Sequence, residues 1–266
     1  MKDVLRIEDL TKKFKKKNFF SSDSDEVIAA DSVNFSLEQG KILAIAGQSG
    51  SGKTTIAKLI LRAIKPDSGK IFHNQKEIMD NSDELKKFRM KCQMIYQDPY
   101  DSINPRMTIS DIVSEPLEIH NIGTKKEREQ RVIETLEKVK LEPAEEISKK
   151  YPHMLSGGQR QRIVIARAIV VKPEIIIADE PVSMLDVSIR AEVLELMKEI
   201  QKENNISMIY ITHDLATAKH FADDILILKS GKVMEIGTVE KVLSQPENSY
   251  TKALISAISE PDPKNL

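Results

Sequence analysis

"KILAIAGQSGSGKTTIAKLI", Lys41 to Ile60, is the stretch that decides the fold. "KILAIAG" reads as a buried strand, because apolar residues run on without alternation. Ile56, Leu59, Ile60, Ala63 and Ile64 recur at the spacing of one helical face, which predicts a helix reaching past Ile60. The join, "GQSGSGKT" (Gly47 to Thr54), fits the pattern G-x-x-x-x-G-K-[ST] and sits between strand and helix, the context that pattern requires. There Gly47, Gly50 and Gly52 would let the backbone curl until its N–H groups face the β- and γ-phosphates of a nucleotide. Lys53 would neutralise phosphate oxygens and Thr54 would hold Mg²⁺. The whole loop is expected to bind: Gly47, Gln48, Ser49, Gly50, Ser51, Gly52, Lys53, Thr54 and Thr55.

Working outward, "EIIIAD" is a second buried strand, and "VSIRAEVLELMKEIQ" puts Ile189, Val193, Leu196, Met197 and Ile200 on one helical stripe. "ISMIYITHD" and "DDILILKSGKVMEIG" supply further strands. Apolar runs alternating with amphipathic stretches predict an α/β fold with a mainly parallel sheet. "VIAADSVNFSLEQGK" and "GKIFHN" carry strand residues with short turns and no helix between them, so an antiparallel β subdomain is expected beside it. Between Pro99 and Ser156 the strand signal gives way to "TISDIVSEPLEIH" and "KKEREQRVIETLEKVK", the second with Val132, Leu136 and Val139 inward. We therefore expect an antiparallel β subdomain plus the first part of the loop-bearing core over 1–98 and a helical subdomain over 99–156. The second part of the core would occupy 157–245 and a C-terminal extension 246–266. In that extension "SYTKALISAIS" is a candidate helix, and "EPDPKNL" is expected to be loose.

Composition narrows the function classes. With 40 Lys and Arg against 41 Asp and Glu, the net charge is −1, so bulk electrostatics give no attraction to nucleic acid. The basic run "KKFKKK", Lys12 to Lys17, reads as a solvated strand edge or loop in preference to a lipid-surface patch. A lone cysteine, Cys92, excludes an internal disulfide framework and fits a reducing cytosol. "MKDVLRIEDL" lacks a signal-peptide core, and no run approaches the ~18 apolar residues that span a bilayer. Membrane association is therefore expected to go through a partner protein.

Two further motifs bear on phosphate chemistry. "IIIADE" ends an uncharged run at Asp179, at the strand edge where parallel α/β sheets bind ligands, so Asp179 would ligate Mg²⁺ directly or through water. Glu180 follows immediately and is placed to polarise an attacking water, or to cap the next helix. "LSGGQRQR", Leu155 to Arg162, puts a serine and two glycines before an apolar helix, which leaves backbone N–H groups bare at a second helix start. One chain thus carries two grips for phosphate.

The ordered set "GQSGSGKT", "MIYQD", "LSGGQRQR", "IIIADEP", "SMLD" and "ITHD" resembles the nucleotide-binding subunit of ABC transporters, over nearly the whole chain. The resemblance implies a P-loop ATPase fold, ATP and Mg²⁺ as ligands, and two subunits facing head to tail. Each signature motif then seals the ATP on the other subunit's loop, which accounts for the second grip: Ser156, Gly157, Gly158 and Gln159 would hold the partner's γ-phosphate. By the same resemblance Gln97 would touch Mg²⁺ and the attacking water, and His213 the γ-phosphate. Asp186 would link the two sites, or cap the helix beginning near Val187, or do both. Phe14 would stack on adenine, or lie in the core. "DPYDSINPRMT" would receive a membrane subunit's cytoplasmic helix, or be an ordinary loop.

"QDPYDSINPRMTI", "YPHMLSGGQRQRIVIARAI" and "ADEPVSMLDVSIRAEVLELM" are similar to the ATPase subunits of dipeptide and oligopeptide importers, a group that includes nickel and glutathione importers. Partners implied are a second ATPase subunit, identical or related, transmembrane permease subunits and, indirectly, an extracytoplasmic solute-binding protein; no nucleic acid is implied. The implied location is the cytoplasmic face of the cell membrane. The chain departs from the group at Asn248 and Ser249, where His-Pro is usual, at Met184, where alanine is usual, and in a tail without cysteine. A non-transport cassette would carry a long coiled coil or two cassettes, and a binding-only subunit would lack Glu180 or His213; neither applies.

Overall fold

A computed structural model describes residues 2–16 and 25–259. Lys17, the end of the basic run, and the "EPDPKNL" tail lie outside the described residues. The chain forms two compact units by contacts, Met1–Asp80 with Ile209–Leu266, and Asn81–Met208, so the division falls inside a strand and differs from the four spans expected above.

The elements run in order β1 (Asp3–Lys16), β2 (Asp25–Glu38), β3 (Ile42–Ala46), α1 (Lys53–Ile60), β4 (Ser68–His73), β5 (Lys76–Glu77), α2 (Ser82–Lys91) and β6 (Cys92–Ile95). Helices then predominate: α3 (Pro99–Ser102), α4 (Ile109–Ile119), α5 (Lys125–Lys138), α6 (Ala144–Ser148) and α7 (Gly157–Ile169). The chain closes with β7 (Ile175–Asp179), α8 (Val187–Glu203), β8 (Ser207–Thr212), α9 (Leu215–Phe221), β9 (Asp224–Lys229), β10 (Lys232–Thr238), α10 (Val239–Ser244) and α11 (Ser249–Ser259).

In the first unit, β2-β1-β4-β5 form the antiparallel sheet, and β10-β9-β3-β8 are neighbours in a second sheet. β3 and β9 pair in parallel with an offset of 181 residues, Leu43 opposite Asp224 through Ala46 opposite Ile227. All five residues of β3 are buried, which is why its sequence shows no alternation. Asp223 fixes the register: its carboxylate accepts from the Ile42 N–H at 2.8 Å, and its own N–H donates to the Ile42 carbonyl at 2.9 Å.

In the second unit β6 and β7 pair in parallel with an offset of 83, Cys92 opposite Ile175 through Ile95 opposite Ala178. Burial of Ile163, Val164, Ala166 on α7 and of Val193, Leu196, Met197, Ile200 on α8 gives this unit its apolar centre. Thr108 and Thr124 start α4 and α5 with reciprocal capping boxes to Asp111 and Glu127, sharp entries for the two main helices before α7.

One expectation needs correction. α1 stops at Ile60, and Arg62 takes φ 53°, so Ala63 is exposed and Ile64 only half-buried instead of continuing the helical face. Pro66 follows closely, and the residue before a proline is driven out of the helical region, so the periodicity outruns the helix.

α11 is anchored to β10 by one carboxylate. Glu235 accepts from the backbone N–H of Glu247 at 2.9 Å and of Asn248 at 3.1 Å, while the Asn248 amide donates to the Met234 carbonyl at 3.2 Å. Lys229 lies over the Tyr250 ring at 4.5 Å. Desolvation raises the Glu235 pKa, but those N–H groups and the Lys241 charge outweigh it and hold the carboxyl below its usual value. A group so depressed contributes stability above its unfolded pKa and loses it as pH falls through the folded one. Glu235→Ala should therefore raise hydrogen exchange at Tyr250–Ala253 about ten-fold at neutral pH, the ~1–2 kcal/mol of a charge-assisted bond, while amides of β3 stay protected. In the parent chain the same segment should loosen only below the ordinary carboxylate range, and the exchange profile of Glu235→Ala should then become indistinguishable from the parent's.

Candidate functional site

Register past the ends of parallel strands delivers the candidate groups. In the first unit, the 181-residue offset continues one step beyond Ala46 and sets Gly47 beside Leu228. A Cβ on Gly47 would stand 2.2 Å from the Leu228 carbonyl oxygen, so no larger residue fits. Gly52 has φ 108°, and a Cβ there would stand 2.1 Å from the Ala29 carbonyl oxygen. The loop thus lies hard against β2 and against the β9–β10 turn, where the Gly231 N–H donates to the Ser51 carbonyl at 2.8 Å. Gly50 meets nothing within 4 Å on its Cβ side, so the loop is open there.

Lys53 is buried, and its ammonium donates to the carbonyls of Gly47 (2.8 Å) and Gln48 (3.0 Å), which draws the loop into a ring around a positive charge. The Ser51 hydroxyl is buried with no protein partner. Gly52 caps α1 without a side-chain bond, and the first intrahelical bond is Ile56 N–H to Gly52 at 2.9 Å. A first turn of this kind offers its leading N–H groups outward. A buried cation, an unused hydroxyl and an uncapped helix start fit a polyphosphate. Thr54 is exposed on the same turn.

Phe14 and His213 belong to this unit too. Phe14 lies on β1 opposite Val27 and is 42% exposed, so of its two expected settings the core is excluded. His213 is exposed directly after β8, held between Thr212, whose hydroxyl accepts from the Asp214 N–H at 3.0 Å, and Asp214, whose carboxylate caps α9 through the N–H groups of Ala216 and Thr217.

In the second unit, the 83-residue offset carried two positions past the paired strands sets Gln97 opposite Glu180. The Gln97 amide donates to the Glu180 carboxylate at 3.3 Å. Glu180 takes φ 47°, a turn that aims its side chain away from the strand line, and its carbonyl accepts the Ser183 N–H (3.2 Å) and hydroxyl (3.0 Å). Asp179 ends β7 and is 5% exposed. Among the described residues no three His, Cys, Asp or Glu side chains gather as a metal cage. A buried strand-end carboxylate such as Asp179 fits Mg²⁺, which binds through few protein oxygens and takes the rest from substrate phosphates and water.

Ser156 caps α7 by a reciprocal box: its hydroxyl accepts the Gln159 N–H at 3.2 Å, and the Gln159 side-chain oxygen accepts the Ser156 N–H at 3.0 Å. The helix start is therefore less bare than the sequence suggests, and what it leaves outward are the N–H groups of Gly157 and Gly158 and the serine's own O–H. Gly158 has a packing reason as well, since a Cβ there would come within 2.7 Å of Ile189 Cγ2 on α8. Asp186 stands at the N-cap position of α8, but its side chain makes no cap bond and is exposed. Sequence reasoning missed Arg190, whose guanidinium donates to the carbonyls of Leu185 (2.7 Å) and Ser183 (3.2 Å) and braces the loop before Asp186. A long cation one helical turn after Asp186 was the available signal.

Comparison with known proteins agrees with this geometry. The ABC transporter family model matches residues 30–183. The dipeptide transport ATP-binding protein DppF of Haemophilus influenzae is 44% identical over 91% of this chain and 73% of its own length. The oligopeptide transport ATP-binding protein OppF of Bacillus subtilis is 46% identical over 93% and 81%. Among solved structures, the dimeric post-hydrolysis ATP-binding cassette MJ0796 bound to ADP and Pi superposes with a TM-score of 0.77 at 30% identity, covering 88% of this chain and 98% of that one. CbiO1 of Clostridium perfringens, part of the cbiONQ transporter complex, gives 0.79 at 28%, covering 93% of each. A loop that rings a buried lysine, strand ends that pair a glutamine with a glutamate, and these relationships together make the chain a member of the ABC transporter family, with the fold of its ATPase.

Proposed function

We propose that this chain is the ATP-hydrolysing subunit of a peptide importer, working as one of two facing ATPase subunits beneath a membrane permease. The observation that carries the ATPase reading is the Gln97–Glu180 contact at 3.3 Å, which holds a carboxylate and an amide together just past the ends of two parallel strands. Glu180 is the general base: its carboxylate takes the proton of the water that attacks the γ-phosphorus, and Gln97 orients that water. Gly47, Gln48, Ser49, Gly50, Ser51, Gly52, Lys53, Thr54 and Thr55 receive the triphosphate of ATP through backbone N–H groups and the Lys53 ammonium. Thr54 and Asp179, with Gln97, are the residues that would hold Mg²⁺, an ion whose chemistry here is to neutralise phosphate oxygens. His213 contacts the γ-phosphate and Phe14 stacks on the base. Ser156, Gly157, Gly158 and Gln159 serve the ATP of the facing subunit, and Asp186 links the two sites.

Peptide import as the task is supported by the identity to the two peptide-transport relatives, 44% and 46%. No helix of the described residues is long and apolar enough to cross a membrane, so attachment to its cytoplasmic face would go through permease subunits, with a solute-binding protein delivering cargo from outside. The second ATPase subunit is a copy of this chain or a related one.

Glu180→Gln should lower ATP turnover by about 10²–10⁴-fold while retaining nucleotide binding, as read by a phosphate-release assay beside fluorescent-nucleotide titration. With Mg-ATP that variant should elute as a dimer in size exclusion; a monomer at saturating ATP would remove the facing-subunit reading. Adding Gly158→Val to it, where a side chain collides with Ile189, should abolish the dimer and leave the affinity for ATP within about two-fold, because the first grip is untouched.

A further inference from the structure

Phe14 sits two residues before the end of β1, beyond the point where the β1–β4 ladder stops, at Thr11 opposite Ser68. What holds the strand there is Asp67. Its N–H donates to the Thr11 carbonyl at 2.9 Å, its Oδ2 accepts the Lys13 backbone N–H at 2.7 Å, and its Oδ1 accepts the Lys12 ammonium at 2.9 Å. The Lys13 side chain is engaged elsewhere, with Glu26 at 3.7 Å, so Asp67 grips that residue by its backbone alone. Tethered in this way, the Lys12 ammonium lies 5.7 Å from the centroid of the Phe14 ring, inside the reach of a cation–π contact. Lys12 and Phe14 are two apart on a strand and so project to one side of it. The Lys13 N–H first, and then Lys12, hold the Asp67 carboxyl below its usual range, so it is a full anion at neutral pH.

We propose that Asp67 is a positioning residue for recognition of the nucleotide base: by fixing the Lys13 backbone and parking Lys12 beside the Phe14 ring, it sets the aromatic surface that the purine stacks on. The inference rests on the reading of Phe14 as the base platform and adds a residue in the α1–β4 connection, outside every phosphate-binding motif. An unbraced Phe14 would sample several rotamers and lose part of its stacking to side-chain entropy.

The test is a double-mutant cycle on the full chain, with ATPase kinetics and displacement of a fluorescent nucleotide by inorganic tripolyphosphate, which has phosphates and no base. Phe14→Ala should raise the KM for ATP roughly ten-fold, as loss of one base–aromatic stack does. Asp67→Ala should raise it about three-fold with kcat unchanged, leave tripolyphosphate affinity unchanged, and add nothing in the Phe14→Ala background. Lys12→Met, which keeps the Lys13 bond, should reproduce part of the Asp67→Ala effect and serves in its place should that variant fold poorly. Equal weakening of ATP and tripolyphosphate by Asp67→Ala, or its full effect persisting without Phe14, would overturn the positioning role and leave the platform intact. An unchanged KM in Phe14→Ala would remove the platform reading and this inference together.

Discussion

Parallel pairing brings the carboxyl ends of neighbouring strands to one edge, and the chemistry of this chain depends on that constraint. A fixed register is also an address: once Cys92 pairs with Ile175, residues two steps beyond the ladder are opposite each other whatever their identity, and here they are Gln97 and Glu180. The same rule in the other unit sets Gly47 against Leu228. Burial enforces the register. A one-residue slip would turn the wholly buried strands β3 and β7 against different neighbours, and would break the two bonds that Asp223 makes to Ile42.

Close approach is the second constraint. The phosphate loop offers N–H groups on one side only because its other side is pressed against the carbonyls of Leu228 and Ala29, and glycine is what permits that at positions 47 and 52. The unoccupied side at Gly50 and the buried Ser51 hydroxyl follow from the same geometry. Lys53, bonded to two loop carbonyls, shapes the ring before any anion enters, so the loop is organised in advance and little ordering remains for a ligand to impose.

Much of this was legible in the sequence because the signals are local. A strand without charge, a glycine-rich join and a periodic helix need only neighbouring residues, and so do the stripes of α5 and α8. What was not legible depends on distant contact or on chain reversal. α1 ends early because Arg62 adopts a left-handed conformation near Pro66, which hydrophobic spacing does not encode. α2 escaped notice because of its faces only Phe88 is buried, leaving a helix with almost no apolar stripe; its Asn81 cap and the charge bias, Asp83 and Glu84 in the first turn with Arg89 and Lys91 in the last, were the local signals. Asp67 and Arg190 act through backbone carbonyls and amides 54 and 5 to 7 residues away, and such bonds leave no compositional trace.

The two helix starts differ in a way that bears on how they work. At α1 a buried lysine accompanies the uncapped turn, so the site carries its own countercharge. At α7 the Ser156 hydroxyl already accepts from Gln159, and Gln159 in turn engages the Ser156 N–H, so the helix is satisfied at two of its leading positions without any ligand. What remains there is two glycine amides and one hydroxyl hydrogen, each a weak donor on an exposed turn. Alone, such a surface competes poorly with water for an anion. Its donors gain strength only where water is excluded and a phosphate is already fixed by stronger groups, because the same hydrogen bond is worth more in a low-dielectric cleft. A helix start of that kind suits a phosphate already held elsewhere and is unsuited to capturing one alone.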